Sequence, residues 1–307
     1  MATFDSLINV DEWISDHYFT TDETKGESFT KRVKARTKEW AALEDETGSL
    51  SPVKRFQQLR GGLQSAFATD EDPEVTAGLV REAFGYGSPT TLSYERAGEV
   101  LSFRGWRGNA GTLIVVEALL SDDTTHEDLT SLPITGGVAQ EGKEPVETKV
   151  SKLIGDLFLA AEPPEFVVVV AGPWELVAER ESWPLGRYLA VNLQLVVERN
   201  DTKKAGELER TAVILARENL ERAADGTTWW ADTREESLQH AVKVSGDLRD
   251  AVRESIEIIG NDVLARRREQ HLPLDDIDGN ELARQSLRYL YRILFLLFAE
   301  ASSELAI

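Results

Sequence analysis

With 307 residues, 41% of them hydrophobic, the chain is long enough for one large or two smaller domains with a real core, and its composition argues against disorder. Its 54 acidic side chains against 34 basic ones give a net charge of −20, which repels a polyanion at long range. That excludes a chain-wide electrostatic footprint for DNA, though not a local basic patch. The absence of cysteine excludes a disulfide framework, a thiolate metal site and a Cys nucleophile together.

The first stretch, MATFDSLINVDEW, has neither the basic n-region nor the apolar h-region of a secretory signal, and a cytoplasmic location is expected. Residues 11–19, 27–43, 51–67 and 73–84 read as helices between polar turns. Pro52 and Pro73 stand in the first turns of the last two, where a missing N–H does no harm. These segments predict a helical layer with solvated charged faces.

The middle of the chain changes character. LSYERAGEVLSFRG (92–105) alternates apolar and polar residues about Ala97-Gly98, which is a hairpin signal. TLIVVEALL (112–120) is a continuous apolar run with β-branched residues and reads as a buried strand. Residues 121–144 look like loop and 146–161 like a helix. FVVVVAG (166–172), WELVAER (174–180) and YLAVNLQLVVER (188–199) then read as strands, the first two meeting at Gly172-Pro173. Strands, helix and strands in succession indicate a mixed α+β or α/β fold.

From Lys203 onwards the pattern is helical again, over 208–223, a long segment 235–268 broken near Gly246 or Gly260, and 280–305. A boundary at 200–206 divides the chain into a helical layer plus small sheet (1–200) and a helical region (201–307).

The last helix carries LARQSLRYLYRILFLLFAEA (282–301). Its longest uncharged run, 293–299, lies between Arg292 and Glu300, and a bilayer needs roughly 20 apolar residues, so it cannot cross a membrane. Leu287, Leu290, Leu294, Leu297 and Ala301 recur at helical spacing, and Phe295 and Phe298 widen the stripe. A helix of this kind is expected to be buried on most sides and to need neighbours.

Few motifs carry chemistry. GVAQEGKE (137–144) nearly matches a phosphate loop, but Glu144 stands where a magnesium-holding hydroxyl belongs and Pro145 where a helix should continue. His17, His126, His240 and His271 are scattered, with no pair at metal-ligand spacing, so no zinc site is expected. Trp229-Trp230, with Trp174 and Trp183, could stack on bases, but without a basic groove around them a place in the core is the simpler reading.

Arg266, Arg267 and Arg268, with Arg249 and Arg253 upstream, form the most basic stretch and suit phosphate contact through the guanidinium fork. Glu254, Glu257, Asp262 and Glu269 share that stretch, so a solvated helix face accounts for it as well. Glu117 ends an apolar strand, where PD-(D/E)xK nucleases place a metal-binding carboxylate followed two residues on by a lysine. Here that second position is Leu119, so Glu117 reads as the remnant of such a site; magnesium is implied only if the chain cuts DNA after all. Glu147-Thr148-Lys149 has the tripeptide letters but precedes a helix.

HAVKVSGDLRDAVRESIEIIGNDV (240–263) and ELARQSLRYLYRILFLLFAEASSEL (281–305) resemble the helical region ahead of the catalytic domain in large type IIG-like adenine-specific DNA methyltransferases. These act in restriction–modification and in DISARM- or BREX-type phage defence. Residues 16–33 and 167–197 also look like the amino-terminal part of such proteins. The resemblance implies S-adenosylmethionine as the cofactor of the parent enzyme, with DNA and defence-system subunits as partners. The family's glycine-rich loop for that cofactor and its Asn-Pro-Pro-aromatic motif are absent here. The chain is therefore expected to be a non-catalytic amino-terminal part, or a split or truncated copy, docked through 282–301. The alternatives from other classes are a metal-dependent nuclease and an acidic adaptor.

Overall fold

The computed structural model describes residues 5–21, 27–69, 72–120, 124–140 and 143–301, and over these the chain is a mixed α+β protein. It forms two units, residues 1–240 and 241–307. In the first unit β1 (Leu7–Val10) is followed by α1 (Asp16–Thr20), α2 (Phe29–Thr47), α3 (Pro52–Ala68) and α4 (Pro73–Phe84). Then come β2 (Thr90–Arg96), β3 (Glu99–Arg107), β4 (Leu113–Glu117), β5 (Val138–Gln140), α5 (Val150–Phe158), β6 (Phe166–Ala171), β7 (Trp174–Glu179) and β8 (Tyr188–Asn192). Helices α6 (Leu193–Arg199), α7 (Glu207–Leu215) and α8 (Arg217–Leu220) lead to α9 (Trp229–Glu269), which begins in this unit.

The strands join into one sheet in the order β1-β8-β7-β6-β4-β3-β2, with β5 paired on β3. Strands β4 and β6 run parallel; the other pairings are antiparallel. Every residue of β6 is buried, which is why its sequence is a continuous apolar run rather than an alternation. Phe166, Val168 and Val170 face one core with Phe29, Phe56, Val80 and Val213, while Val167, Val169 and Ala171 face a second with Leu153 and Leu157 of α5.

Local chemistry explains many boundaries. The side chains of Ser28, Ser51 and Asp72 cap α2, α3 and α4 by accepting from backbone N–H groups inside each helix. The β2–β3 hairpin turns on Ala97 and Gly98, both at positive φ, as a two-residue turn with the twist of its strands requires.

Elsewhere the structure corrects the sequence reading. Residues 188–199 are not one strand: Asn192 caps α6, its side chain accepting from Leu195 N at 3.1 Å. Leu193, Val196 and Val197 then lie on one buried helical face, a spacing hidden within a β-branched run. The helix expected over 11–19 starts only at Asp16, because Asp11 and Glu12 adopt positive φ after the edge strand β1. Residues 138–140, expected in a loop, form β5, and the helix expected over 146–161 shortens to α5. The helix expected over 208–223 breaks at Ala216. Because α7 packs on α2 and α3, residues 201–220 belong with the sheet, and the division between the units lies at 240 and 241.

The second unit pairs the rest of α9 with α10 (Gly279–Ala301). Helix α9 is continuous through Gly246 and Gly260, where a break was expected. Ser286 is buried, and Gly260 lies opposite Leu282 and Ser286. The expected burial of α10 on most sides is not seen: Leu294, Phe295, Leu296, Leu297 and Phe298 are all exposed, Phe295 and Leu296 at 66%. No helix among the described residues is long and apolar enough to cross a membrane.

A methyl added at Gly246 would meet nothing within 4 Å. Gly246→Ala should therefore stabilise the second unit by about 0.5–1 kcal/mol, read as increased helical content and slower hydrogen exchange over 241–269. A neutral or destabilising effect would mean that α9 is broken there.

Candidate functional site

Glu117 is the last residue of β4. It pairs across to Val170 of β6, which pairs with Glu175 of β7, so both carboxylates project from the face of the sheet that α4 covers, with Val170 between them. Helix α4, fixed by its Asp72 cap and Pro73 start, supplies Arg81 to this spot. The Arg81 side chain is nearly buried; Nη1 donates to Glu117 Oε1 and Nη2 to Glu74 Oε1 at 3.1 Å. Arg104 of β3 adds a 2.7 Å bond from Nη2 to Glu74 Oε2. Burial raises the Glu117 carboxyl above its ordinary range, against the lowering pull of Arg81.

Glu175 is fully buried, and neither carboxylate oxygen has a hydrogen-bond partner among the described residues. Desolvation, and then the charge of Glu117, push its carboxyl well above the usual value. Tyr86, whose hydroxyl donates to Leu215 O, is pushed well above 10 by burial and then by Glu175. Two carboxyls thus share one face in different surroundings, one ion-paired and one without a hydrogen-bond partner among the described residues.

The arrangement can hold a proton and anchor α4 to the sheet. A nuclease-type magnesium site would need Glu117 open to the metal beside further oxygen ligands. Here the Arg81 guanidinium is on one of its oxygens, and Leu119 stands two residues on, half exposed. Among the described residues no group of three or more His, Asp or Glu side chains is placed to hold a metal ion.

The five arginines of the basic stretch lie along α9, Arg249 and Arg253 about four turns ahead of Arg266, Arg267 and Arg268. Arg253 pairs with Glu257 at 3.3 Å, Arg266 with Asp262 at 2.7 Å and Arg267 with Asp276 at 3.2 Å. Arg249 and Arg268 are exposed with no ion-pair partner among the described residues. Trp230 is fully buried, its ring 4.7 Å from that of Trp13, so it is core. GVAQEGKE contributes β5 and a left-handed Gly137, with no helix before Val150; residues 141–142 lie outside the described residues.

Two constellations escaped the sequence reading. His17 Nδ1 and His240 Nε2 are 2.8 Å apart, brought together from 223 positions away. Arg107, Arg180 and Arg222 converge at the start of β4 from three separate segments. No local spacing announces either.

The two carboxyls respond differently to change. The folded pKa of Glu175 lies above its unfolded value near 4.5, so the native state keeps a proton that the unfolded chain releases. Its contribution to stability is full below that value and is lost as the pH rises toward the folded one. Glu175→Gln should therefore raise Tm at pH 7–8, with the gain fading toward pH 4 in thermal melts. Glu117→Ala should have the opposite sign, costing about 3 kcal/mol in urea unfolding at pH 7 because Arg81 loses its buried partner.

No protein-family model matches the chain, and no curated protein or solved structure is significantly similar to it.

Proposed function

We propose that the chain is a non-catalytic part of an adenine-specific DNA methyltransferase system of restriction–modification or phage defence. In this reading it positions DNA or partner subunits while methyl transfer is performed by another domain or subunit. The observation that carries the reading is the apolar face of α10, where Leu294–Phe298 stand exposed in a helix whose sequence is that of a packed element. The resemblance of 240–263 and 281–305 to the helices ahead of the catalytic domain in such enzymes supports it. Arg249 and Arg268, exposed on α9, are the side chains free to meet DNA phosphate.

S-adenosylmethionine would belong to the other component, since this sequence has neither the glycine-rich loop nor the Asn-Pro-Pro-aromatic motif for it. The Arg81–Glu117 pair favours a positioning role over DNA cutting, because the carboxylate that a metal would need is engaged in holding α4.

The test is cross-linking and mass spectrometry of the tagged full chain in its own cells. The expected result is co-recovery of a polypeptide that labels with S-adenosylmethionine, lost in a Leu294→Glu, Phe298→Glu variant that keeps the wild-type melting of the first unit. Recovery without such a polypeptide would overturn the reading, as would magnesium-dependent DNA cutting abolished by Glu117→Gln.

A further inference from the structure

The antiparallel and parallel pairings of β4, β6 and β7 bring the start of β4, the start of β6 and the end of β7 to one end of the sheet. Backbone bonds tie these points together: Glu165 N and Phe166 N donate to Thr112 O at 2.7 and 2.9 Å, and Arg180 N donates to Glu165 O at 3.0 Å. The β3–β4 turn closes beside them through Gly108 N to Leu113 O at 2.9 Å, with Gly111 at φ 71°. Arg107, opposite Ile114, and Thr112, two residues before Ile114, fall on the same face of the sheet.

A cavity of about 220 Å³ opens at this end, and the side chains that matter in it are Arg107, Thr112, Glu162, Glu165, Arg180 and Arg222. Both oxygens of Glu165 are already engaged, Oε2 by Arg222 Nε at 3.1 Å and Oε1 by Thr228 Oγ1 at 3.2 Å. Glu165 therefore serves to hold Arg222 at the rim. Glu162 is exposed, and three guanidiniums face two carboxylates in a chain that is otherwise strongly acidic.

Arg107 and Thr112 line the cavity, and Arg107 Nε and Thr112 Oγ1 are buried with no hydrogen-bond partner among the described residues. Both can donate a proton, and Arg180, exposed at the mouth, has no ion-pair partner among the described residues. Guanidinium and hydroxyl donors gathered in this way match a ligand with several acceptor oxygens on one atom.

We propose that this cavity binds the phosphate of a small phosphomonoester, with Arg107 and Thr112 donating from the floor and Arg180 and Arg222 closing on the dianion. The monoester fits better than a phosphodiester backbone for two reasons. A backbone phosphate must leave the cavity on both sides, and a long polyanion is repelled by the net charge of −20. A second cavity of about 260 Å³ shares Glu165, Arg180 and Arg222 with the first and offers room for the body of the ligand. This site is independent of the methyltransferase reading.

The experiment titrates inorganic phosphate and glucose 6-phosphate into the full chain at constant ionic strength in chloride, read by calorimetry and by Tm. Saturable binding of both is expected. Arg180→Gln should weaken it by about tenfold or more while leaving Tm in chloride unchanged, since Arg180 is exposed. Thr112→Val should weaken it as well, keeping the shape of the site without its hydroxyl. No saturable binding, or binding that Arg180→Gln leaves unchanged, would refute the site. A DNA oligonucleotide that competes equally with and without its 5′-phosphate would also refute it, because the ligand would then be the backbone.

Discussion

The structure depends on one strand being buried on both faces. Strand β6 lies between β4 and β7 with all six residues out of contact with water, so each face of the sheet must be covered by its own layer. Helices α2, α3, α4, α6 and α7 cover one face and α5 the other. The register of β6 also decides which polar residues meet. Leu113 pairs with Phe166, and Phe166 with Glu179, so Thr112, Glu165 and Arg180 are neighbours at one end. At the other end Glu117 and Glu175 flank Val170. The ion-paired carboxylate and the arginine cavity are two consequences of one pairing.

Burial also sorts the charges. An unpaired carboxylate in the core is costly, and burial accordingly pushes the Glu175 carboxyl well above its usual range. Glu117 lies on the same face but within reach of Arg81, and the guanidinium offsets part of the desolvation that raises it. The same logic, with the sign reversed, applies at the opposite end of the sheet. There the surplus is of guanidinium donors, which cannot deprotonate to relieve it and so call for an anion.

What was legible in the sequence were features whose cause is local. The hairpin at Ala97-Gly98, α3 and α4 with their proline starts, and the apolar runs of β4 and β6 each carry their signal within a dozen residues. Residues 188–199 misled because a β-branched run satisfies both periods, and the Asn192 cap decides between them. Strand β5 was missed because three residues take their conformation from pairing with β3 rather than from their own pattern. Glu117 was legible as a carboxylate at a strand end, but its partner Arg81 lies 36 residues away and was not. The cavity was illegible altogether, since Arg107, Arg180 and Arg222 become neighbours only through the register of three strands and a loop.

Helix α10 shows the limit of reading burial from composition. Its apolar residues recur at helical spacing on nearly every side, a pattern that normally means neighbours all round, and yet Leu294–Phe298 remain exposed. A methyltransferase component covering that face would reconcile composition with exposure, which is why the positioning role rests on this helix. The phosphate cavity rests on none of it. Its residues all precede position 240, in the unit that carries the sheet, whereas α10 lies in the other. Removing the apolar side chains of α10 should leave phosphate binding intact, and removing Arg180 should leave partner recovery intact. If each substitution disturbed both properties, the two units would be coupled and neither role could be assigned to its surface alone.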